Sequence, residues 1–250
     1  MMNDRFKSVL VIVATVGVII FNYLAATGIL GGIDPGAISD KYPTRITPAG
    51  YAFPAIWSLI YLGISAFSIY QALPKNLERF RSVRTVYILS CAANCAWLYF
   101  WHQQAILAAL LVIFVLLGSL AFINIRLQTT ESNGEYWLAK VPFGLYFGWV
   151  TVATILNVTI ALVYLNVRLS DSATNLAGAA LILIAAAIAA IMRWRMRNYF
   201  YPLAVAWALT AIAVKQSGQT LIVAAAAVGV IACLIAAISF VMEMKSSDFK

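Results

Sequence analysis

Long apolar segments recur along the whole chain, and short polar connections separate them. Of the 250 residues, 63% are hydrophobic and 10% are charged, and the mean hydropathy is +0.90. This balance is far from that of a water-soluble domain, and about 20 apolar residues in a helix cross the hydrocarbon core of a bilayer. The pattern predicts an all-α, polytopic membrane bundle with eight spans: residues 8–28, 53–73, 85–101, 105–125, 141–165, 173–192, 199–214 and 219–242.

Lysine and arginine residues concentrate in alternate connections between these spans. With a cytoplasmic N-terminus, the inner segments hold 13 of the 17 bases and the outer segments hold 4. Because cytoplasmic loops carry an excess of positive charge, we expect both termini in the cytoplasm, with the protein in the plasma (inner) membrane. The same distribution accounts for the net charge of +8. No basic tract is interleaved with aromatic residues, so we expect no nucleic acid partner.

The predicted spans contain no acidic residue, lysine or arginine. Ion-coupled transporters usually keep an ionisable residue at membrane depth, so this pattern counts against that class. We also find no nucleophile–base pair and predict neither catalytic residues nor a metal site, which counts against an enzyme without excluding one. Cys91 and Cys95 share a helix face but lack further ligands. His102, the single histidine, is interpreted as a solvated turn residue, with an axial haem ligand as the alternative.

Aromatic residues recur at helical spacing where the first long loop enters the second span. Phe53, Trp57 and Tyr61 are four residues apart, so their side chains share one helix face. Such a stripe is either an aromatic belt at the membrane interface or one wall of a pocket for a flat apolar ligand. Asn94, Trp97 and Trp101 follow the spacing i, i+3, i+7 and so share one face of the third span.

The fifth span carries a comparable face, formed by Tyr146, Trp149, Ala153 and Asn157. Asn94 and Asn157 each lie seven or eight residues from the predicted outer end of their span, about 10–12 Å deep at 1.5 Å per residue. Three aromatic faces and two amides therefore converge beneath the first loop. The alternative for the amides is hydrogen bonding between helices, and the alternative for the tryptophans is packing.

Residues 29–50 form the longest polar connection of the chain. Asp34, Pro35 and Gly36 give it a turn signal, and it leads directly into the Phe53 face. Loops of this length are uncommon in compact proteins and are often functional lids. We therefore expect a lid that becomes ordered over a ligand, with a plain tether as the alternative.

These motifs together resemble the TspO/MBR family, the tryptophan-rich sensory proteins of bacteria and the mitochondrial translocator protein. The resemblance covers about residues 9–165. Three positions depart from the family pattern: Ala49 and Leu145 replace prolines, and Tyr51 replaces a tryptophan. The positions that carry the resemblance are Pro48, Ala49, Tyr51, Phe53, Trp57, Tyr61, Asn94, Trp97, Leu145, Tyr146, Trp149, Ala153, Leu156 and Asn157.

The resemblance implies a five-helix bundle over residues 1–165, to which residues 166–250 add a three-helix extension. It also implies a pocket under the first loop that binds a porphyrin, haem, sterol or similar ligand. No cofactor is required, and a porphyrin or haem would be a ligand. The expected role is that of a sensor or receptor, with transport of a tetrapyrrole-like substrate as the alternative.

Expected partners are the lipid bilayer and a small hydrophobic ligand, and a homodimer is left open. The ligand-binding residues predicted on this basis are Tyr51, Phe53, Trp57, Tyr61, Asn94, Trp97, Tyr146, Trp149, Ala153 and Asn157.

Overall fold

The computed structural model describes residues 4–239, and this part of the chain is helical and contains no strand. Both chain termini, which were predicted to be cytoplasmic, and the predicted end of the last span at residue 242 lie outside the described residues. A short 3-10 helix (Pro74–Asn76) and a π-helical segment (Tyr136–Lys140) add to the α-helices. The α-helices are α1 (Asp4–Ala26), α2 (Pro35–Asp40), α3 (Ala52–Tyr70), α4 (Arg81–His102), α5 (Ile106–Arg126), α6 (Asn133–Glu135), α7 (Val141–Tyr164), α8 (Asp171–Met196), α9 (Phe200–Lys215) and α10 (Thr220–Ile238).

A long helix overlaps each of the eight predicted segments, but not all eight meet the length and hydropathy expected of a membrane span. Six stretches do: α1, α3, α5, the continuous helical stretch Asn133–Tyr164, α8 and α10. Helix α9 is apolar but has 16 residues, and α4 is not among the six. The fold is that of a multi-pass helical membrane protein.

The first five long helices form a closed ring in the order α1, α4, α5, α7, α3. Helices α8, α9 and α10 pack against one another, and α9 joins this group to the ring through α7 and α3. Glycine permits the contact between α7 and α9, because a Cβ atom at Gly148 would overlap the carbonyl oxygen of Tyr201. Small residues allow this close approach of backbones in membrane bundles.

The structure extends two helices beyond the ends that the sequence predicted. Helix α4 begins at Arg81 rather than at residue 85, and α8 extends to Met196 rather than ending at 192. As a result Arg84 and Arg193, assigned to polar connections, lie inside helices and are buried. Arg84 donates to Gln71 Oε1 at 2.7 Å, and the Arg193 guanidinium lies 4.0 Å from the centre of the Trp194 ring. Hydrogen bonds and ring contacts, some of them to residues distant in the chain, hold both guanidinium groups at the helix ends farthest from the 29–50 loop.

The 29–50 loop packs across one end of the ring and contains the short helix α2. Asp34 begins α2, since its Oδ1 accepts hydrogen bonds from the amides of Gly36 and Ala37 at 2.8 and 3.1 Å. The indole of Trp101 on α4 donates to the carbonyl oxygen of Pro35 at 3.1 Å. The side chain of Ile38 is fully buried below the helix. Helix α2 is therefore held against the bundle by both polar and apolar contacts.

The second half of the loop is attached to α9. The amide of Ala49 donates to the carbonyl oxygen of Ala211 at 3.0 Å. The indole of Trp207 donates to the carbonyl oxygen of Ala52 at 3.2 Å, at the start of α3. The C-terminal helices thus hold the far end of the loop, a role that the sequence did not reveal.

Candidate functional site

A cavity of about 540 Å³ lies beneath α2, at the end of the bundle that the loop covers. Its lining comes from α1, the loop, α3, α4 and α7. Among the described residues, α5 and α8–α10 contribute nothing to this lining. Seven of the ten predicted ligand-binding residues line it: Phe53, Trp57, Tyr61, Trp97, Trp149, Ala153 and Asn157.

Aromatic rings from α3 and α7 meet at one side of the cavity. Phe53 packs edge-on against Trp149, with 5.6 Å between the ring centres. Trp57 stacks on Tyr61 at 5.3 Å and meets the ring of Tyr146 edge-on at 5.6 Å. The helical spacing of the α3 aromatics therefore builds a continuous apolar wall. Flat faces and edges of this kind suit the packing of a planar ligand.

Helix α4 supplies a second pair of rings. Trp97 and Trp101 are one turn apart, with ring centres 6.1 Å apart and planes inclined by 34°. Both line the cavity, although only Trp97 was among the predicted ligand-binding residues. The spacing already placed Trp101 on the same helix face as Asn94 and Trp97, and that signal could have added it to the site.

A hydrogen bond joins α4 to α7 at the cavity wall. The Trp97 indole Nε1 donates to Asn157 Oδ1 at 3.1 Å, and Asn157 Nδ2 donates to the carbonyl oxygen of Ala153 at 2.8 Å. Asn157 therefore connects two helices and also faces the cavity. The bond fixes the orientation of the Trp97 ring, because an indole has a single donor.

A second polar network lies at the α1 side of the site and is centred on Asn94. Asn22 Nδ2 donates to Asn94 Oδ1 at 2.7 Å, and Asn94 Nδ2 donates to the Tyr146 hydroxyl at 2.9 Å. Asn94 and Tyr146 do not line the cavity, whereas Asn22 does. Asn94 and Tyr146 therefore lie behind the residues that form the cavity wall. Asn22 was missed, although a single amide in an apolar span is a signal that could have found it.

Tyr51 is the third predicted residue that lies outside the cavity lining. Its side chain is half exposed and packs edge-on against Trp207 of α9, with 5.9 Å between the ring centres. The sequence placed it in the pocket because it occupies a position of the family motif. The structure directs its ring away because α9, which the motif does not include, offers an aromatic partner.

His102 ends α4 and does not line the cavity. Its Nδ1 lies 2.8 Å from the carbonyl oxygen of Leu98, and its ring lies against Gly31. Within residues 4–239, no group of three or more His, Cys, Asp or Glu side chains is placed to hold a metal ion. The cavity lining presents ring faces, side-chain amides and the polar groups of α2.

The roof of the cavity is the part that the sequence predicted least well. Helix α2 and its flanks bring Asp34, Ser39 and Asp40 to the lining, and none of these was a predicted ligand-binding residue. Asp40 is paired with Lys215 at the end of α9. The turn signal at Asp34 predicted a change of direction, but it did not predict a helix that faces a cavity.

A multi-pass helical bundle that encloses an aromatic cavity beneath its first long loop defines the class of this protein. The chain belongs to the TSPO-like protein family, whose sequence profile matches residues 8–240. This match confirms the resemblance inferred from the motifs, and it extends through α8–α10, beyond the residues 9–165 on which that resemblance rested. No curated protein and no solved structure matches the chain significantly.

Proposed function

We propose that this membrane protein binds a flat hydrophobic ligand in the cavity beneath α2 and acts as a non-enzymatic sensor. One observation carries the proposal: a cavity of about 540 Å³ is lined by aromatic rings from three helices and covered by a loop. Its volume lies within the range of small-molecule sites, about 300–1,000 Å³. Porphyrin, haem and sterols are the ligand classes that these faces suit, and the tryptophans would supply the stacking surface.

The proposed topology has eight spans, with both termini in the cytoplasm of a cell bounded by a plasma (inner) membrane. Helices α4 and α9 would be the two spans added to the six candidates. Each is packed among other helices and so needs less apolar surface facing the lipid. All four connections on the side of the 29–50 loop are poor in Lys and Arg, which supports placing that side outside. A reporter fused after Lys250 tests this topology: a periplasmic signal would contradict it.

Transport of a tetrapyrrole-like substrate is the alternative function. A translocation path formed with the C-terminal helices would require them to reach the ligand, and α8–α10 contribute none of the described residues that line the cavity. Flux through proteoliposomes separates the two functions. Binding without flux supports a sensor, and ligand-dependent flux supports a transporter.

Binding is tested by titrating the purified protein in nanodiscs with protoporphyrin, haem and a sterol. We expect tryptophan fluorescence to fall as a porphyrin binds, and replacing Trp149 with Phe to weaken both the quenching and the affinity. Trp137→Phe is the matched control, because Trp137 is 58% exposed and does not line the cavity. Equal affinities in the two variants, or saturation by no ligand of these classes, would contradict the proposal.

A further inference from the structure

The charge of the cavity roof has one sign. Two aspartates, Asp34 and Asp40, line the cavity, and the lining includes no Lys, Arg or His within residues 4–239. The carboxylate of Asp40 is paired with Lys215. Asp34 forms no ion pair in the described part of the chain, and both of its capping bonds go to Oδ1. The unpaired charge at this roof is therefore negative.

A buried hydroxyl also lines this roof. Ser39 lines the cavity, its side chain is 2% exposed, and its Oγ has no hydrogen-bond partner among residues 4–239. Buried polar groups are nearly always hydrogen-bonded, and an unpaired one calls for an explanation. A polar atom of the ligand would satisfy this hydroxyl.

We propose that the cavity selects flat ligands that are neutral or cationic, and that the polar end of the ligand lies under α2 beside Ser39 and Asp34. This inference rests on the proposed function and narrows its ligand class. A hydroxyl or amine donates to the free oxygen of Asp34, whereas a ligand carboxylate meets a like charge and no Lys, Arg or His of the described lining. Burial of an unpaired charge is costly, so free carboxylates are disfavoured.

The size of this preference follows from Coulomb's law. Two like charges about 8 Å apart, at an effective dielectric constant between about 80 and about 20, weaken binding by a factor of about 2 to about 30. Asp34 is exposed to solvent, so screening places the effect towards the lower end of this range. A sterol, with a single hydroxyl and no charge, does not incur this loss.

The test uses one ring system with two charge states: protoporphyrin with free carboxylates and its neutral dimethyl ester. Both are titrated into the wild type and into Asp34→Asn in nanodiscs of zwitterionic lipid. Asn caps a helix about as well as Asp, so the variant removes the charge and keeps α2. Asp171→Asn is the charge-matched control at the same end of the bundle, since Asp171 does not line the cavity.

We expect the wild type to bind the ester at least about twofold more tightly than the diacid, and Asp34→Asn to remove most of that preference. Asp171→Asn should keep it. Comparing the ratio of the two affinities between variants cancels the partition of each ligand into the lipid. The inference is wrong if the ratio of ester affinity to diacid affinity is unchanged in Asp34→Asn, or if the wild type prefers the diacid. Either result would leave the proposed binding site itself supported. If protoporphyrin, its ester and the sterol all fail to bind, the proposed function fails and the inference fails with it.

Discussion

Replacing Asn94 with Leu tests the polar network that holds α1, α4 and α7 together. Asn94 is fully buried and is bonded to Asn22 and to the Tyr146 hydroxyl at 2.7 and 2.9 Å. Leucine has a similar size, so the main loss is the two hydrogen bonds. Hydrogen bonds between membrane helices contribute about 0.6 kcal/mol on average and at most about 1.7. We expect the free energy of unfolding to fall by about 1–3 kcal/mol.

Tyr146→Phe removes only one of the two bonds, so we expect a loss of about 0.6–1.7 kcal/mol. The double variant should lose less than the sum of the single losses, because Asn94 and Tyr146 are direct partners. Reversible unfolding in mixed micelles, followed by circular dichroism, measures all three values. Ser119→Ala is the control: among residues 4–239, its hydroxyl donates only to the carbonyl oxygen of Val115 within α5.

Two results would refute this reasoning. Losses that simply add in the double variant would show that Asn94 and Tyr146 are not coupled. A change as small in Asn94→Leu as in Ser119→Ala would show that packing alone holds the three helices together.

Three further predictions concern the loop and its supports. Amides of residues 42–51 should exchange more slowly with protoporphyrin ester bound than without it, and equal rates would favour a plain tether. Trp207→Ala removes the hydrogen bond to Ala52, which contributes about 1 kcal/mol, so the nearby loop amides should exchange about fivefold faster in the empty protein. Gly148→Ala should lower the thermal unfolding temperature because its Cβ meets the backbone of α9, whereas Gly118→Ala, with open space around it, should leave that temperature unchanged or raise it.

Part of the candidate site follows from residue spacing alone. The α3 stripe and the α7 face are regular helical repeats, and the rings of Trp57 and Trp149 line the cavity that these repeats predicted. Spacing also placed Trp101 on a predicted face, and Asn22 is a single amide in an apolar span, yet neither was among the predicted ligand-binding residues. Spacing specifies which side chains share a face, and it does not specify which face meets which.

Three results depended on contacts that no local pattern reports. The ring of Tyr51 packs on α9, Asn94 acts from behind the wall, and Arg84 is buried inside a helix. Each outcome depends on a partner at least 13 residues away in the chain. A hydropathy window cannot register such a partner.

The sequence by itself determined the class of fold, the positions of the long helices and their family. The physical reason is that a bilayer leaves a backbone few choices: an apolar run of about 20 residues must satisfy its hydrogen bonds within its own helix. The tertiary structure decided how those helices meet, that α2 forms a roof with an unpaired Asp34, and that α9 holds the loop. These features depend on which polar groups find partners across helices, and that is a property of the packed bundle rather than of any single segment.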